Sequence, residues 1–480
     1  MRRRELRLWM WAVALLAIYS TLTLFISAWE LKSTIDENIY RVAGLQYLKF
    51  REFSINFEHP PFSKWWGASL PYLFGKTDSV FWYRVPHILL FLSVGLLVCF
   101  LLWRHVSPLS GVFWSLLYFL CPNTKAMASL HVNDFDVAAW LILMVAILYA
   151  FARKRDHANA PMFFAGISLA LSLNSKFTGL FILPFLGLWF FLIRRTHKNL
   201  KKELGFLSLG IFLGFLISYL GNFSEILWYG KGIDAQRLHD RVATHPSSLF
   251  GEIRSTGFWY YYLVCFFSKT PLMVLVLLPF GLYSGIKRDK TMLWLCAIPA
   301  LFLLIYLSRL NVQTGLRYFL PGVLLIYFIA ACGLAKFHQV LGNQGSWVII
   351  VLFSGLWILD QRTLATGSYL SYFNSLAPMP TTRKFTDANN DWGQDIPNRL
   401  KKELPYLIIH VNSLNESELR TKDLQSRIYV YAGANDLIGF WSVRAKKLNS
   451  YEAKKIIGAY EIFELSVAQA IELAQSPARP

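Results

Sequence analysis

Long apolar runs constrain this chain more than any other feature. "LWMWAVALLAIYSTLTLFISAW" near the start and "FWYRVPHILLFLSVGLLVCFLLW" from residue 81 each reach the length that crosses the hydrocarbon core of a bilayer. Lipid offers no partner to a backbone N–H or C=O, so such runs fold as helices. The chain is 55% hydrophobic and 16% charged, which is too apolar for an ordinary soluble enzyme of 480 residues. Runs at roughly 8–28, 81–102, 109–121, 136–151, 161–173, 177–193, 204–220, 258–285, 291–307, 317–335 and 346–362 predict about eleven spans, the third and fifth of them short. The first is long, Trp-flanked and without a small-residue cleavage pattern, so it is expected to remain as a span.

The net charge of +19 raises the question of nucleic acid, and its distribution answers it. Basic clusters stand at "RRRELR", "ARKRDH", "RRTHKNLKK" and "IKRDK". With a cytoplasmic N-terminus all four fall on the cytoplasmic side, as topology by positive charge requires. The charge therefore reports orientation, and no nucleic-acid partner is expected. An odd number of spans then places the C-terminal tail outside, with an inner-membrane location and a periplasm-facing site. Cys99, Cys121, Cys265, Cys296 and Cys332 lie in or beside apolar runs without metal spacing. They are expected to be small buried hydrophobes.

The predicted architecture is an all-α polytopic membrane domain over residues 1–362, followed by a small external α/β domain over 363–480. In the first part, residues 29–80 form a long external loop with surface helices. It holds "STIDENIYR" and then "INFEHPPFSKWW". Pro60 and Pro61 are expected to reverse the chain, and Trp65 and Trp66 to lie at the bilayer surface or stack on a sugar. A second external stretch, 221–257, is rich in His, Asp and Arg. In the tail, "YLIIHVN", "RIYVYAG" and "AYEIFELSV" read as strands, and 396–404 and 451–457 as helices. "DANNDWGQD" alternates Asp387, Asn389 and Asp391 like the start of a calcium loop, but Gly393 falls one position late and no Glu closes it. It is read as a turn tying the tail to the membrane domain.

Charges at a membrane rim are costly and concentrate where function needs them. Here they gather on one predicted face: Asp36 and Glu37, Glu58 and His59, Asp134 and Asp136 of "HVNDFD", Lys176 of "NSKFTG" and Arg317 of "GLRYFLP". Lys269 of "FFSKTP" interrupts a long apolar run and is expected at a cavity on the same rim. Each has a plainer reading as a helix cap or a snorkelling cation. Together they supply carboxylates able to act as a general base and cations able to hold a phosphate leaving group.

The ordered set "DE…Y", "HPP", the Asp-bearing "HVNDFD", "SKFTGL", "KTP", "RYFLP" and "NNDWGQD" resembles the GT-C membrane glycosyltransferases. Within them it is similar to the dolichyl-phosphate-mannose–protein mannosyltransferase-like group that includes the lipid A aminoarabinose transferase. The resemblance covers about residues 30 to 400. It implies a polyprenyl-phosphate sugar donor, an acceptor that is a protein, lipid or glycan, and inverting transfer. It places the catalytic base at Asp36, with Glu37 beside it, and the donor phosphate at Lys176 and Arg317, with Lys269 as a third candidate. Glu58 matches the acidic residue of the second motif, and Asp134 or Asp136 that of the next external loop. These and His59 are expected on an acceptor or metal rim; a divalent cation is a possible cofactor. Two other classes use similar residues: a transporter or flippase of lipid-linked sugars, which needs no base, and an oligosaccharide ligase.

Overall fold

The computed structural model describes residues 3–152, 159–195, 197–242, 245–287, 289–336, 355–356, 369–385, 389–390, 392, 408–421, 423, 426–438, 442–457 and 459–478. Helices occupy the first ten predicted spans; the eleventh lies almost wholly outside the described residues. Six stretches are long and apolar enough to cross a bilayer: Leu6–Glu30, Val80–His105, Asn133–Phe151, Phe177–Arg194, Lys290–Leu307 and Leu316–Lys336. The two expected to be short are helices of 12 and 15 residues, Pro108–Phe119 and Asn159–Leu173.

Of the remaining two predicted spans, that at 204–220 is one helix followed by a sharp bend, and that at 258–285 is itself broken. Leu200–Ser218 and Phe223–Arg241 meet at 98°, turning at Leu220 and Gly221, both with positive φ. Tyr261–Lys269 and Leu272–Tyr283 meet at 111°. The second break replaces the single span expected over 258–285. Its cause is local: Thr270 and Pro271 are extended (ψ 131° and 138°), and Pro271 has no N–H to continue the helical ladder. With each bent pair taken as one span, the described residues hold up to eight.

We label the first elements α1 (Arg3–Glu30), α2 (Ile35–Phe50), α3 (Phe62–Leu73), α4 (Val80–His105), α5 (Pro108–Phe119), α6 (Pro122–Ala128), α7 (Asn133–Ala152) and α8 (Asn159–Leu173). The core wraps α7 and Leu316–Lys336, which are buried almost throughout, whereas α1 leaves Leu8, Trp11, Leu15, Ile18 and Leu22 exposed along its length. Without water between helices, close backbone approach does much of the holding. It is clearest between α8 and Leu200–Ser218. A Cβ on Gly166 would lie 2.2 Å from the Leu207 carbonyl, and one on Gly210 would lie 2.1 Å from that of Phe163.

Between the first two long spans, α2 and α3 pack together through Gly44, whose absent Cβ would lie 2.3 Å from the Lys64 carbonyl. The outer side of α2 shows Ile35, Ile39, Val42 and Phe50. An apolar exposed stripe suits a helix lying in the membrane interface. Pro61 immediately precedes α3, which begins at Phe62. Trp65 and Trp66 are both partly buried: the Trp65 indole donates to the Ser218 carbonyl (2.9 Å), and Trp66 stacks near Phe62. Neither stands free at the surface. All five cysteines are buried thiols.

A hairpin, β1 (Ser247–Leu249) and β2 (Glu252–Arg254), follows the surface helix Leu227–Arg241. The C-terminal region has a four-stranded mixed sheet in the order β3-β4-β6-β5, from β3 (Ile408–His410), β4 (Arg427–Gly433), β5 (Lys455–Ile457) and β6 (Tyr460–Ser466). β3 and β4 run parallel, and the other pairs are antiparallel. The three expected strands are present. The predicted helix at 451–457 instead ends in the edge strand β5, which pairs with β6; that at 396–404 lies outside the described residues. This sheet packs on its own core from Val411 to Leu473, whereas Leu370, Phe373, Phe385 and Trp392 join the core of the helical domain.

The glycine contact gives a direct test. Gly210→Leu forces a side chain into the Phe163 carbonyl and is expected to destabilise the detergent-solubilised protein by about 1–3 kcal/mol, the scale of overpacking. Gly205→Leu, on the same helix with open space around its Cβ position, is the control. Equal thermal-unfolding curves for the two variants would refute the close packing.

Candidate active site

Two adjacent carboxylates begin α2, and the helix sends them in different directions, about 100° apart. Thr34 caps the helix, accepting from the Glu37 N–H (3.2 Å), while a Glu37 carboxylate oxygen accepts from the Thr34 N–H (2.8 Å). This reciprocal box turns Glu37 inward. There the Arg84 Nε and Nη2 groups donate to its two oxygens at 2.7 Å each, and the His131 N–H adds a third direction at 2.8 Å. Arg84 uses its remaining donors on the carbonyls of Ala28, Leu31 and Lys32. Both side chains are fully buried. Burial alone raises the Glu37 pKa; the Arg84 charge and the N–H donors reverse this and hold it below the usual carboxylate range. Glu37 is thus engaged as a structural anchor, inaccessible to an acceptor.

Asp36 faces outward. Its side chain keeps 33% exposure, and its carboxylate lies 3.3 Å from the Arg317 guanidinium. Arg317 also approaches Asp134 (3.6 Å), and Lys176 donates to the other Asp134 oxygen (2.5 Å). Asp134 comes from the first turn of α7, Lys176 from the extended residue before the turn Phe177–Ile182, and Arg317 from the turn Leu316–Phe319. These short turns let residues far apart in sequence aim at one point. Aromatic faces complete the enclosure: the Lys176 ammonium stands 3.9 Å from the Tyr318 ring centre, and Arg317 lies 3.8 Å from that of Trp392. Cation–π contacts of this kind hold a charge without neutralising it. The result is a quartet of two acids and two bases whose formal charges cancel, open to solvent chiefly at Asp36.

Asp136 belongs elsewhere, although only one residue separates it from Asp134. It bonds His87 Nδ1 (2.8 Å), and His87 Nε2 bonds His131 Nδ1 (2.9 Å), all fully buried. Two residues along a helix point to nearly opposite faces, so the two carboxylates meet different partners. Tyr40, one turn beyond Asp36, packs edge-on against His131 and His59. Its hydroxyl pKa is pushed well up, first by burial and then by the Asp36 and Asp134 charges.

His59 is partly buried beside the quartet. Burial first, then Lys176, Lys64 and Arg317, push its imidazole well below its usual range, so it is neutral at physiological pH. Glu58 is exposed and its charge acts on Lys64 and His239. Lys64 is a buried brace that donates to the carbonyls of Asn56 and His59. Lys269 is another. Its ammonium donates to the carbonyls of Leu370 (2.7 Å) and Asn389 and lies over Phe373, so the charge is committed to joining the helix break to the tail. Lys269 also lines, with Arg317 and Asn123, a small pocket between the helix break and the tail. Asn389 reinforces the join through the Leu316 N–H (3.0 Å) and the Tyr261 hydroxyl (3.0 Å), while Asp387, Asp391 and Gly393 lie outside the described residues. Among the described residues no three His, Cys, Asp or Glu side chains converge as a metal site.

Tyr40, Tyr318, Trp392 and Arg84 received no role in the sequence reading. Tyr40, Tyr318 and Trp392 sit inside motifs already noted, "DE…Y", "RYFLP" and "NNDWGQD". Arg84 carried a weaker signal, a lone cation inside an apolar run.

The arrangement can be set beside known proteins. Residues 58–220, about a third of the chain, match the family described as dolichyl-phosphate-mannose-protein mannosyltransferase. No curated protein matches the chain in sequence. The crystal structure of ArnT from Cupriavidus metallidurans in the apo state superposes with a TM-score of 0.57 at 17% identity, over 77% of this chain and 67% of that one. The form of that protein bound to undecaprenyl phosphate gives the same TM-score and identity over 76% and 66%. The chain shares the fold of that protein. AglB from Archaeoglobus fulgidus, an archaeal oligosaccharyltransferase, scores 0.48 at 13% identity, over 78% of this chain and 57% of that one. At the start of α2 the two adjacent carboxylates part, one facing inward and one outward.

Glu37→Gln tests that division. It leaves Arg84 buried with a neutral partner, and loss of a buried pair costs about 3–5 kcal/mol, so the variant is expected to unfold early or fail to accumulate. The sign with pH follows from the depressed folded pKa. The Glu37 contribution is complete above the unfolded value of about 4.3 and is lost as pH falls through the lower folded value. Wild-type thermal stability should drop over that acid window by more than that of Glu37→Gln. Identical acid profiles would show that the pair does not anchor the fold.

Proposed function

We propose that this protein transfers a sugar from a polyprenyl-phosphate donor to a hydroxyl on an acceptor, in one inverting displacement at the Asp36–Arg317 quartet. The observation that carries the reading is the contrast at the start of α2: Glu37 is sealed and fully bonded, whereas Asp36 is reachable and held by Arg317. The donor class is supported by the family match and by the fold shared with a protein whose structure holds undecaprenyl phosphate.

In this reading the acceptor hydroxyl gives its proton to Asp36 while its oxygen attacks the anomeric carbon from the face opposite the phosphate. The anomeric C–O bond breaks, and its electron pair leaves on the phosphate. The leaving phosphate gains one negative charge as Asp36 loses one. Arg317 then turns its charge from Asp36 to the phosphate, with Lys176 beside it, so the charge of the whole site is conserved through the step. Cations placed where charge develops are the chief source of such stabilisation. We read this face of the membrane as the periplasmic or equivalent outer one, from the positions of the basic clusters.

Two measurements test the reading. Asp36→Asn keeps size and capping capacity but removes the base, and general base catalysis contributes about 10²–10⁴-fold. Transfer of labelled sugar from polyprenyl phosphate to envelope extract should fall by that factor, with donor affinity largely kept; turnover within about threefold of wild type would reject the base assignment. In the same assay Lys176→Met should weaken donor binding by about 1.5–3 kcal/mol, and unchanged affinity would remove it from the phosphate site.

Sidedness has its own check. A cysteine replacing Ser413 should react with an impermeant reagent applied from outside intact cells, and one replacing Asn199 should not. The reverse pattern would place the quartet at the cytoplasmic face.

A further inference from the structure

The stretch that leads to Arg317 has no regular structure of its own. It runs from the end of the span Lys290–Leu307 to the turn Leu316–Phe319, and residues 312–316 are buried. Buried N–H groups outside a helix or sheet need partners from elsewhere. Here the external region 221–257 supplies them. One carboxylate oxygen of Asp240 accepts from the N–H groups of both Asn311 (2.8 Å) and Val312 (3.1 Å). The Ser247 hydroxyl accepts from the Gln313 N–H and donates to the Asn311 carbonyl, at 2.8 Å each. The next residue, Thr314, carries Arg317: its carbonyl accepts from Arg317 Nε (3.1 Å) and its hydroxyl from Nη2 (3.2 Å), while Nη1 reaches Asp36 (3.3 Å). The guanidinium thus leans back on the same stretch that Asp240 and Ser247 fasten.

Asp240 lies in the last turn of the surface helix Leu227–Arg241, and Ser247 opens β1. The start of that helix is fastened to the first external loop. Glu225, just before it, accepts from the Phe53 N–H (3.0 Å), and a Cβ on Gly232 would lie 2.3 Å from the Phe57 carbonyl. The helix therefore links the loop that follows α2, which bears Asp36, to the stretch that bears Arg317. A cation that exchanges one anion for another needs a fixed pivot, because stabilisation by a preorganised charge is lost if the charge must first be placed.

We infer that Asp240 and Ser247 are positioning residues for transfer. They fix the backbone on either side of Asn311–Gln313, Thr314 then holds two nitrogens of Arg317, and the third is left free to turn between Asp36 and the phosphate. The inference rests on the transferase reading and gives a task in that reaction to the external region 221–257. Because a single Asp240 oxygen accepts both bonds, the task requires an acceptor atom at that point rather than a charge.

The test uses the full-length detergent-solubilised protein and transfer of labelled sugar from polyprenyl phosphate to envelope extract. Asp240→Ala should slow transfer roughly ten- to a hundredfold, the cost of a misplaced catalytic group, and Asp240→Asn, which keeps an oxygen in place, should restore most of the rate. In an Arg317→Gln background Asp240→Ala should cost nothing further, since residues that act through one group are not additive. Hydrogen exchange at the amides of 311–313 should quicken in Asp240→Ala and return towards wild type in Asp240→Asn. Ser247→Ala carries the same cycle if Asp240→Ala does not fold. An equal loss with and without Arg317 would make these residues general supports of the fold, and an Asp240→Asn protein as slow as Asp240→Ala would assign the effect to charge; either result overturns the inference. Wild-type protein without transfer would reject the transferase reading and this inference with it, whereas wild-type transfer with an indifferent Asp240→Ala would reject the inference alone.

Discussion

The Glu37–Arg84 pair sets the geometry on which the site depends. Five guanidinium donors reach five acceptors, three of them carbonyls at the end of α1 and two on Glu37 at the start of α2. One side chain of α4 therefore closes the first span, opens the surface helix and joins both to the bundle. The Glu37 bond to the His131 N–H extends the hold to the approach to α7. Such a pair is not intrinsically more stabilising than well-packed apolar residues, but once buried neither charge can lose its partner cheaply. That makes it a device for position. Because Glu37 is pinned inward, helical geometry leaves Asp36 facing out.

The outward face is organised by charge neutrality. Asp36, Asp134, Lys176 and Arg317 come from four separate elements and cancel one another. A compensated set can be held near the low dielectric of a membrane where any member alone would be costly. In the proposed transfer, a proton taken by Asp36 would leave a cation uncompensated at the moment a phosphate gains charge. The aromatic faces of Tyr318 and Trp392 allow this because they attract cations without satisfying them.

The tail is part of this machinery as well as a domain beyond it. Lys269 ends the helix that breaks at Thr270–Pro271, and its ammonium seizes the carbonyls of Leu370 and Asn389. Asn389 in turn bonds the backbone of Leu316, next to Arg317. The helix break, the tail and the Arg317 turn are thus one connected unit, and Trp392 lies over Arg317.

Much of this was legible in the chain. Apolar runs disclosed the helices, because lipid permits no other use of them, and turn-flanked β-branched segments disclosed three strands of the tail. The charged motifs disclosed which residues would gather, since charge at a membrane rim needs a reason. What sequence left level was the choice between neighbours, Asp36 against Glu37 and Asp134 against Asp136, and the standing of Lys269 as a third candidate beside Lys176 and Arg317. Each pair shares its chemistry and differs only in direction or partner. Direction was decided by the helical turn together with what stood opposite: Arg84 for Glu37, His87 for Asp136 and two tail carbonyls for Lys269. Those partners lie from 47 to 120 positions away in sequence, so no local pattern could announce them. Composition and spacing settle which residues carry charge; only the packed chain settles which charges are sealed in its interior and which, like Asp36, keep contact with solvent.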